Sequence, residues 1–191
     1  MNKVYANLAY TSFFVTIYEE DWRVLNNGYA KITLKIRSGK RQKNMKIDTK
    51  FLGQVEITQE QLVTFAEGIP GFQHEKQFAL IPFGENTPFI ILQSIKTVQI
   101  GFVLALPYTF KVGYAFDLSN QDVEALKIEK QKDIITYAIV TLKDTLPNST
   151  INLLAPIVIN TKTRQARQIV LNENSQELLH YPLISVKEGV K

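Results

Sequence analysis

The stretch Asn152-Leu153-Leu154-Ala155-Pro156-Ile157-Val158-Ile159-Asn160 decides the fold class. It is apolar between two bounding asparagines and interrupted in the middle by Pro156. In a helix interior that proline would cost about 3 kcal/mol, because it removes a donor and its ring clashes with the preceding turn. The stretch is therefore predicted as a strand buried on both faces, with Pro156 at a bulge or on an unpaired edge. The next run, Gln168 to Leu171, is of the same kind, and the polar residues Lys162 to Arg167 between them suit a turn. Two strands and a short loop make a hairpin, which is marginal alone and needs further sheet to cover it.

The chain has 191 residues, of which 45% are hydrophobic. That is enough to bury one sizeable core, and a single domain suffices. There is no cysteine, so neither a disulfide framework nor a thiolate metal site is possible. The two histidines, His74 and His180, have no second imidazole or carboxylate pair at ligand spacing. No metal, no cofactor and no histidine-based triad is expected, and a cytoplasmic, non-redox protein fits.

The net charge of +4 suggests a nucleic-acid binder until the charges are placed. Residues 1–44 carry eight basic side chains against Glu19, Glu20 and Asp21, a balance of 8 − 3 = +5. The remainder carries fourteen basic and fifteen acidic residues, 14 − 15 = −1. The basicity lies entirely in the first 44 residues, and the body has no electrostatic reason to seek phosphate.

Tyr5 to Tyr18 is rich in aromatic and β-branched residues but is interrupted by Asn7, Thr11, Ser12 and Thr16. It is shorter than the roughly 18–20 apolar residues a membrane-spanning helix needs, and no small-residue cleavage site follows it. Tyr29 to Ile36 alternates as a strand does, and the basic tract Arg37 to Lys43 reads as a solvated linker. From Met45 the texture is regular. Lys46 to Phe51 and Gln54 to Ile57 flank Gly53 as a hairpin. Thr58-Gln59-Glu60-Gln61 has capping-box spacing for one helical turn, and Gln61 to Phe65 returns as a strand. Gly68-Ile69-Pro70-Gly71-Phe72 fixes a tight turn. Ile69 and Phe72 beside it either plug the end of a barrel or form an exposed knob for a partner.

Phe78 to Phe83, Phe89 to Ser94 and Ile100 to Leu106 are short β-type runs with turn residues between them. Pro107 closes the third, and Tyr108, Phe110, Tyr114 and Phe116 crowd the next segment, as core or as a loop surface. Ser119 is predicted to N-cap a helix with Asp122 in its first turn and Val123, Leu126 and Ile128 facing inward. Asp133 to Leu142 is the longest strand candidate. The fold class is mainly β: an antiparallel β-barrel or barrel-like sandwich with one or two short helices.

Four segments in order resemble one family. They are Met45 to Gly53, Phe65 to Phe72, Pro88-Phe89 with Leu92-Gln93-Ser94, and Asn152 to Asn160 with Lys162 and Gln168 to Leu171. Residues 45–185 thus resemble the bacterial flagellar assembly factor family, FliW. The resemblance implies a small cytoplasmic β-barrel protein with no catalytic step, which binds flagellin before export. When free, such a protein binds the translational repressor CsrA and relieves repression of flagellin synthesis. A partner switch of this kind needs no contact of residues 45–191 with nucleic acid or membrane.

Other classes leave traces. The basic stretch 31–43 near Tyr29 would serve an RNA-binding module. Asp117, Asp122, Glu124 and Asp133 would serve a small hydrolase if paired, although a solvated acidic face explains them. A carbohydrate-binding sandwich matches the fold class alone. For partner binding the candidates are Pro107, Tyr108, Phe110 and Tyr114 as apolar anchors, with Asp117, Asp122 and Glu124 as charge for a basic partner. Ile69 and Phe72 join them as a possible knob. Residues 1–44 are expected to be an extension that makes few contacts with the 45–191 domain. Translation is expected to start at Met45, since Gly39-Lys40-Arg41 admits a purine-rich codon run three codons upstream. The rival expectation is an arm in which Tyr29 to Ile36 adds an edge strand.

Overall fold

The computed structural model describes residues 2–5, 44–84, 87–172 and 175–183. In chain order the strands begin with β1 (Asn2–Tyr5), β2 (Met45–Thr49), β3 (Gly53–Ile57), β4 (Leu62–Phe65), β5 (Gln77–Pro82), β6 (Phe89–Ser94), β7 (Gly101–Ala105) and β8 (Ala115–Leu118). Helix α1 (Asn120–Ala125) follows, then β9 (Ile134–Thr141), β10 (Thr150–Ile151), β11 (Ile157–Asn160), β12 (Gln165–Gln168), α2 (Gln176–Leu179) and β13 (Tyr181–Pro182).

Seven strands close a barrel in the order β11-β12-β4-β5-β6-β7-β9, with β9 pairing back onto β11. Only β12 and β4 run parallel. The expected antiparallel barrel is present, and its one parallel pair has a geometric reason. Strands around a closed ring of odd number cannot alternate direction everywhere, so one neighbouring pair must be parallel. β9 is long enough to serve two partners in succession: Ile134–Tyr137 pair with β11, and Val140–Thr141 with β10.

The barrel strands β5, β6, β7, β9 and β11 are largely buried on both faces and so read as apolar runs, whereas β12 buries only Ala166. Alternation sorts them. Val63, Phe65, Phe78, Leu92, Leu104, Tyr137, Ile157, Ile159 and Ala166 form an interior core to which all seven barrel strands contribute. Ala79, Ile81, Ile91, Val103, Ala138, Val140 and Val158 point the other way into a second core. That outer core is covered by Ile57 of β3, Phe116 and Leu118 of β8, Leu126 after α1, and Ile151, Leu153 and Leu183. Each fully buried side chain of this size contributes roughly 1.5–3 kcal/mol relative to exposure.

The deciding stretch is strand for only half its length. Residues 153–155 form a turn, and β11 begins after Pro156. Pro156 therefore stands ahead of a strand, where a missing N–H costs least, instead of inside one. The Asn152 side chain accepts from the amides of Leu154 and Ala155, at 3.0 and 3.2 Å, and so makes the turn. Asn160 works at the other end: its Oδ1 accepts from the amides of Lys162 and Thr163. This tight turn starts the second strand at Gln165, earlier than the expected Gln168 to Leu171, and leaves Val170 64% exposed. The β2–β3 hairpin, the single turn at Gln59–Gln61 and α1 with Ser119 as N-cap form where the sequence predicted them.

Tyr29 to Ile36 and the basic tract Arg37 to Lys43 lie outside the described residues. Asn2–Tyr5, by contrast, pair in antiparallel register with β8. This strand ladder joins Asn2–Tyr5 to the body.

Candidate partner-binding surface

The turn Gly68–Phe72 lies where β4 ends and β5 begins. Gly68 has φ +76°, and a Cβ there would meet the Gln73 Cα at 2.7 Å, so the turn admits no side chain at that position. The Phe72 amide donates to the Ile69 carbonyl at 2.7 Å. The two side chains part company. Ile69 is 2% exposed and joins the interior core, plugging the barrel end, which removes it as an exposed anchor. Phe72 is 38% exposed and meets Phe102 edge-on at 5.2 Å. Phe102 lies against Phe78 and Phe78 against Phe65, so an aromatic column runs from this rim into the core.

The same end is braced by polar groups that sequence reading passed over. Buried Glu75 accepts from the Ser94 and Thr97 hydroxyls, each at 2.6 Å. Those hydrogen bonds, Ser94 first, hold its carboxyl below the usual carboxylate value, with Lys96 and His74 adding to the effect. Fully buried Gln93 donates to the carbonyls of Val98 and Ile100 and accepts from the Lys50 amide at 2.9 Å. It thereby ties the tip of the β2–β3 hairpin to the loop after β6. A Cβ on Gly101 would stand 2.8 Å from the Gln93 Oε1, so a side chain there would have to displace the Gln93 amide from its hydrogen bonds.

The aromatic segment after β7 leaves the opposite end of the barrel, because β7 runs away from the Gly68 turn. Pro107 is buried. Tyr108 is half-buried against the interior core, and burial pushes its phenol up to about 12. Neighbouring Tyr137 is raised further, by burial first and then by Tyr108. Phe110 is half-buried against the outer core. Tyr114 is buried and donates to the Leu153 carbonyl at 2.6 Å. Pro107 and Tyr114 are thus core, and of the four aromatic-segment candidates Tyr108 and Phe110 retain partial exposure. Sequence reading missed Val112, which is 97% exposed. Its only local signal is its place between Lys111 and Gly113 in a turn closed by Tyr114 N–H to the Lys111 carbonyl.

The acidic candidates are not one solvated face. Asp117 is half-exposed on β8, and Glu124 is exposed on α1. The Asp122 amide donates to the Ser119 Oγ at 3.1 Å, and its carboxylate lies 3.4 Å from the Arg167 Nε. Arg167 also binds Glu67 at 2.9 Å, linking α1 to the residue just before the Gly68 turn. Asp133 is buried and paired with the Lys162 ammonium at 2.7 Å. That hydrogen bond raises the Lys162 pKa. Asp122 and Asp133 are therefore committed to structural ion pairs and are unavailable as a catalytic couple. The candidates that keep exposure are Phe110 and Val112 in the loop before β8, Asp117 on β8 and Glu124 on α1. Phe72 belongs to a separate rim. Among the described residues no three metal-ligating side chains cluster, and no helix is long and apolar enough to cross a membrane.

Comparison with known proteins gives one answer. The family model described as FliW protein matches residues 46–183. The flagellar assembly factor FliW of Geobacillus thermodenitrificans is 44% identical over 136 residues, covering 71% of this chain and 94% of that protein. The Bacillus subtilis flagellar assembly factor FliW is 40% identical over the same length, covering 95% of its own chain. A crystal structure of the flagellar assembly factor FliW aligns with TM-score 0.69 and 41% identity over 75% of this chain and 99% of that one.

Proposed function

The chain belongs to the FliW family and is a flagellar assembly factor, and on that premise we propose that it binds flagellin and, when released, binds and antagonises the translational repressor CsrA. The observation that carries the reading is identity of about 40% across nearly the whole length of proteins named flagellar assembly factors. Binding is its whole activity in this reading, with no catalytic step, no cofactor and no direct contact with nucleic acid or membrane. The work takes place in the cytoplasm, before flagellin export.

We assign partner capture to the exposed residues of β8, α1 and the loop before β8. Phe110 and Val112 supply apolar area, and Asp117 and Glu124 supply negative charge on a body whose balance from Met45 on is −1. A repressor that grips RNA carries a basic surface, and opposite charge accelerates the encounter and fixes its register. The switch needs only mutually exclusive binding: flagellin holds the factor until export, and the vacated factor then takes the repressor. Purified full chain tests this directly. Each partner is to be captured alone, and added flagellin is to displace CsrA. Capture of neither partner, or simultaneous capture of both without competition, overturns the reading.

A further inference from the structure

β8 is anchored by Phe116 and Leu118, which are 6% and 2% exposed in the outer core. Its strand partner among the described residues is β1 alone. The register sets Asn2 opposite Leu118, Lys3 opposite Asp117, Val4 opposite Phe116 and Tyr5 opposite Ala115. Residues 6–43 separate β1 from the domain, so this strand comes from far along the chain. The family model begins only at residue 46. The solved relative, aligned over 99% of its length to 75% of this chain, has no room for a counterpart of the whole extension. Among the described residues of 46–183 no strand of this chain pairs with β8, so the body of the fold leaves this edge open to another strand. A fixed strand with an uncovered edge is a template for another strand, and proteins use such edges to take extended peptides.

We propose that the β8 edge is a strand-addition site for an extended segment of a protein partner, and that Asn2–Tyr5 occupy it in cis. The register defines the occupant's chemistry: an antiparallel segment with an apolar residue opposite Phe116 and, one position away, a basic residue opposite half-exposed Asp117. Opposed residues share a face in an antiparallel pair, so a cation favours that position and an anion is repelled from it. A partner that uses this edge must displace β1, which makes the extension a competitor built into the chain. The inference rests on the reading that the protein works by binding other proteins. Its test uses a synthetic peptide, so its failure is separable from failure of the flagellin and repressor assays.

The test is amide hydrogen exchange at Ala115–Leu118 in the full-length parent and in a full-length Lys3→Pro/Val4→Pro variant. Adjacent prolines remove the donor facing β8 whichever way the ladder alternates. Exchange at these amides is expected to rise about tenfold or more in the variant, since edge protection reflects the local opening equilibrium. A peptide with the sequence of residues 1–8 is expected to restore protection, and the same peptide carrying Lys3→Glu to restore much less. Unchanged exchange in the variant overturns the proposal, as does a freed edge that the peptide fails to protect. Equal protection by the Lys3→Glu peptide overturns the assigned chemistry.

Discussion

The Tyr114 hydroxyl donates to the Leu153 carbonyl at 2.6 Å and so fixes the aromatic segment after β7 to the turn that precedes β11. Both groups are buried. Tyr114→Phe keeps the ring and leaves a buried carbonyl without this donor, which should cost about 1–3 kcal/mol. Urea denaturation measures the loss. Partner affinity is expected to stay at the parent value where the variant is folded, because Tyr114 belongs to the core.

Ile157 is completely buried at the start of β11 and packs in the interior core. Ile157→Ala should destabilise by about 2–5 kcal/mol through lost burial and the cavity left behind. The same titration decides it. A variant that unfolds with the parent would mean that the barrel is not closed through β11.

Asn160 is 1% exposed and donates to the carbonyls of Leu126 and Lys127, at 3.0 and 2.9 Å, where α1 ends. Asn160→Asp preserves shape but removes both donors and sets an acceptor against two carbonyls. A loss of at least about 1–3 kcal/mol follows, the larger the more fully the new carboxylate stays ionised. Thermal melts across pH separate the two contributions, because protonation of the new carboxyl restores one donor.

Glu75 predicts an acid limb. Its pKa lies below the ordinary 4.5, with the Ser94 hydroxyl as the largest cause. A group depressed in the folded state contributes stability that is fully present above its unfolded value. That contribution is lost as pH falls below 4.5 and through the lowered folded value. Ser94→Ala should therefore flatten the stability–pH curve in that window as well as lower its plateau. An unaltered slope in equilibrium denaturation at successive pH values would remove Glu75 from the account.

Val112 and Glu124 test the assigned binding residues without touching the core. Val112 is 97% exposed, so Val112→Asp should change stability by no more than about 0.5 kcal/mol. Glu124→Lys reverses an exposed charge and should slow association with a basic partner, with a weaker salt dependence. Titration calorimetry and stopped-flow mixing supply both numbers. Wild-type affinity and rate for both partners in the double variant would move the interface elsewhere, with the Phe72 rim as the next place to mutate.

The sequence by itself determined the mainly β class, most strand positions, the helix capped by Ser119 and the family. All of these rest on local chemistry: periodic apolar runs, glycine and proline at turns, and hydroxyl or amide caps acting over a few residues. It placed the boundary asparagines but not their work, since Asn160 serves Leu126 and Lys127 across the fold. Only the tertiary structure decided that seven strands close with one parallel pair, because closure depends on the number of strands around the ring. It also decided that Ile69 is a plug and Phe72 a rim residue, although the two stand three positions apart in one turn. The acidic cluster divided for the same reason: charges close together in sequence meet Arg167, Lys162 or solvent according to which element passes above them. Burial and charge pairing are set by what lies opposite a residue in space, and adjacency along the chain does not carry that information.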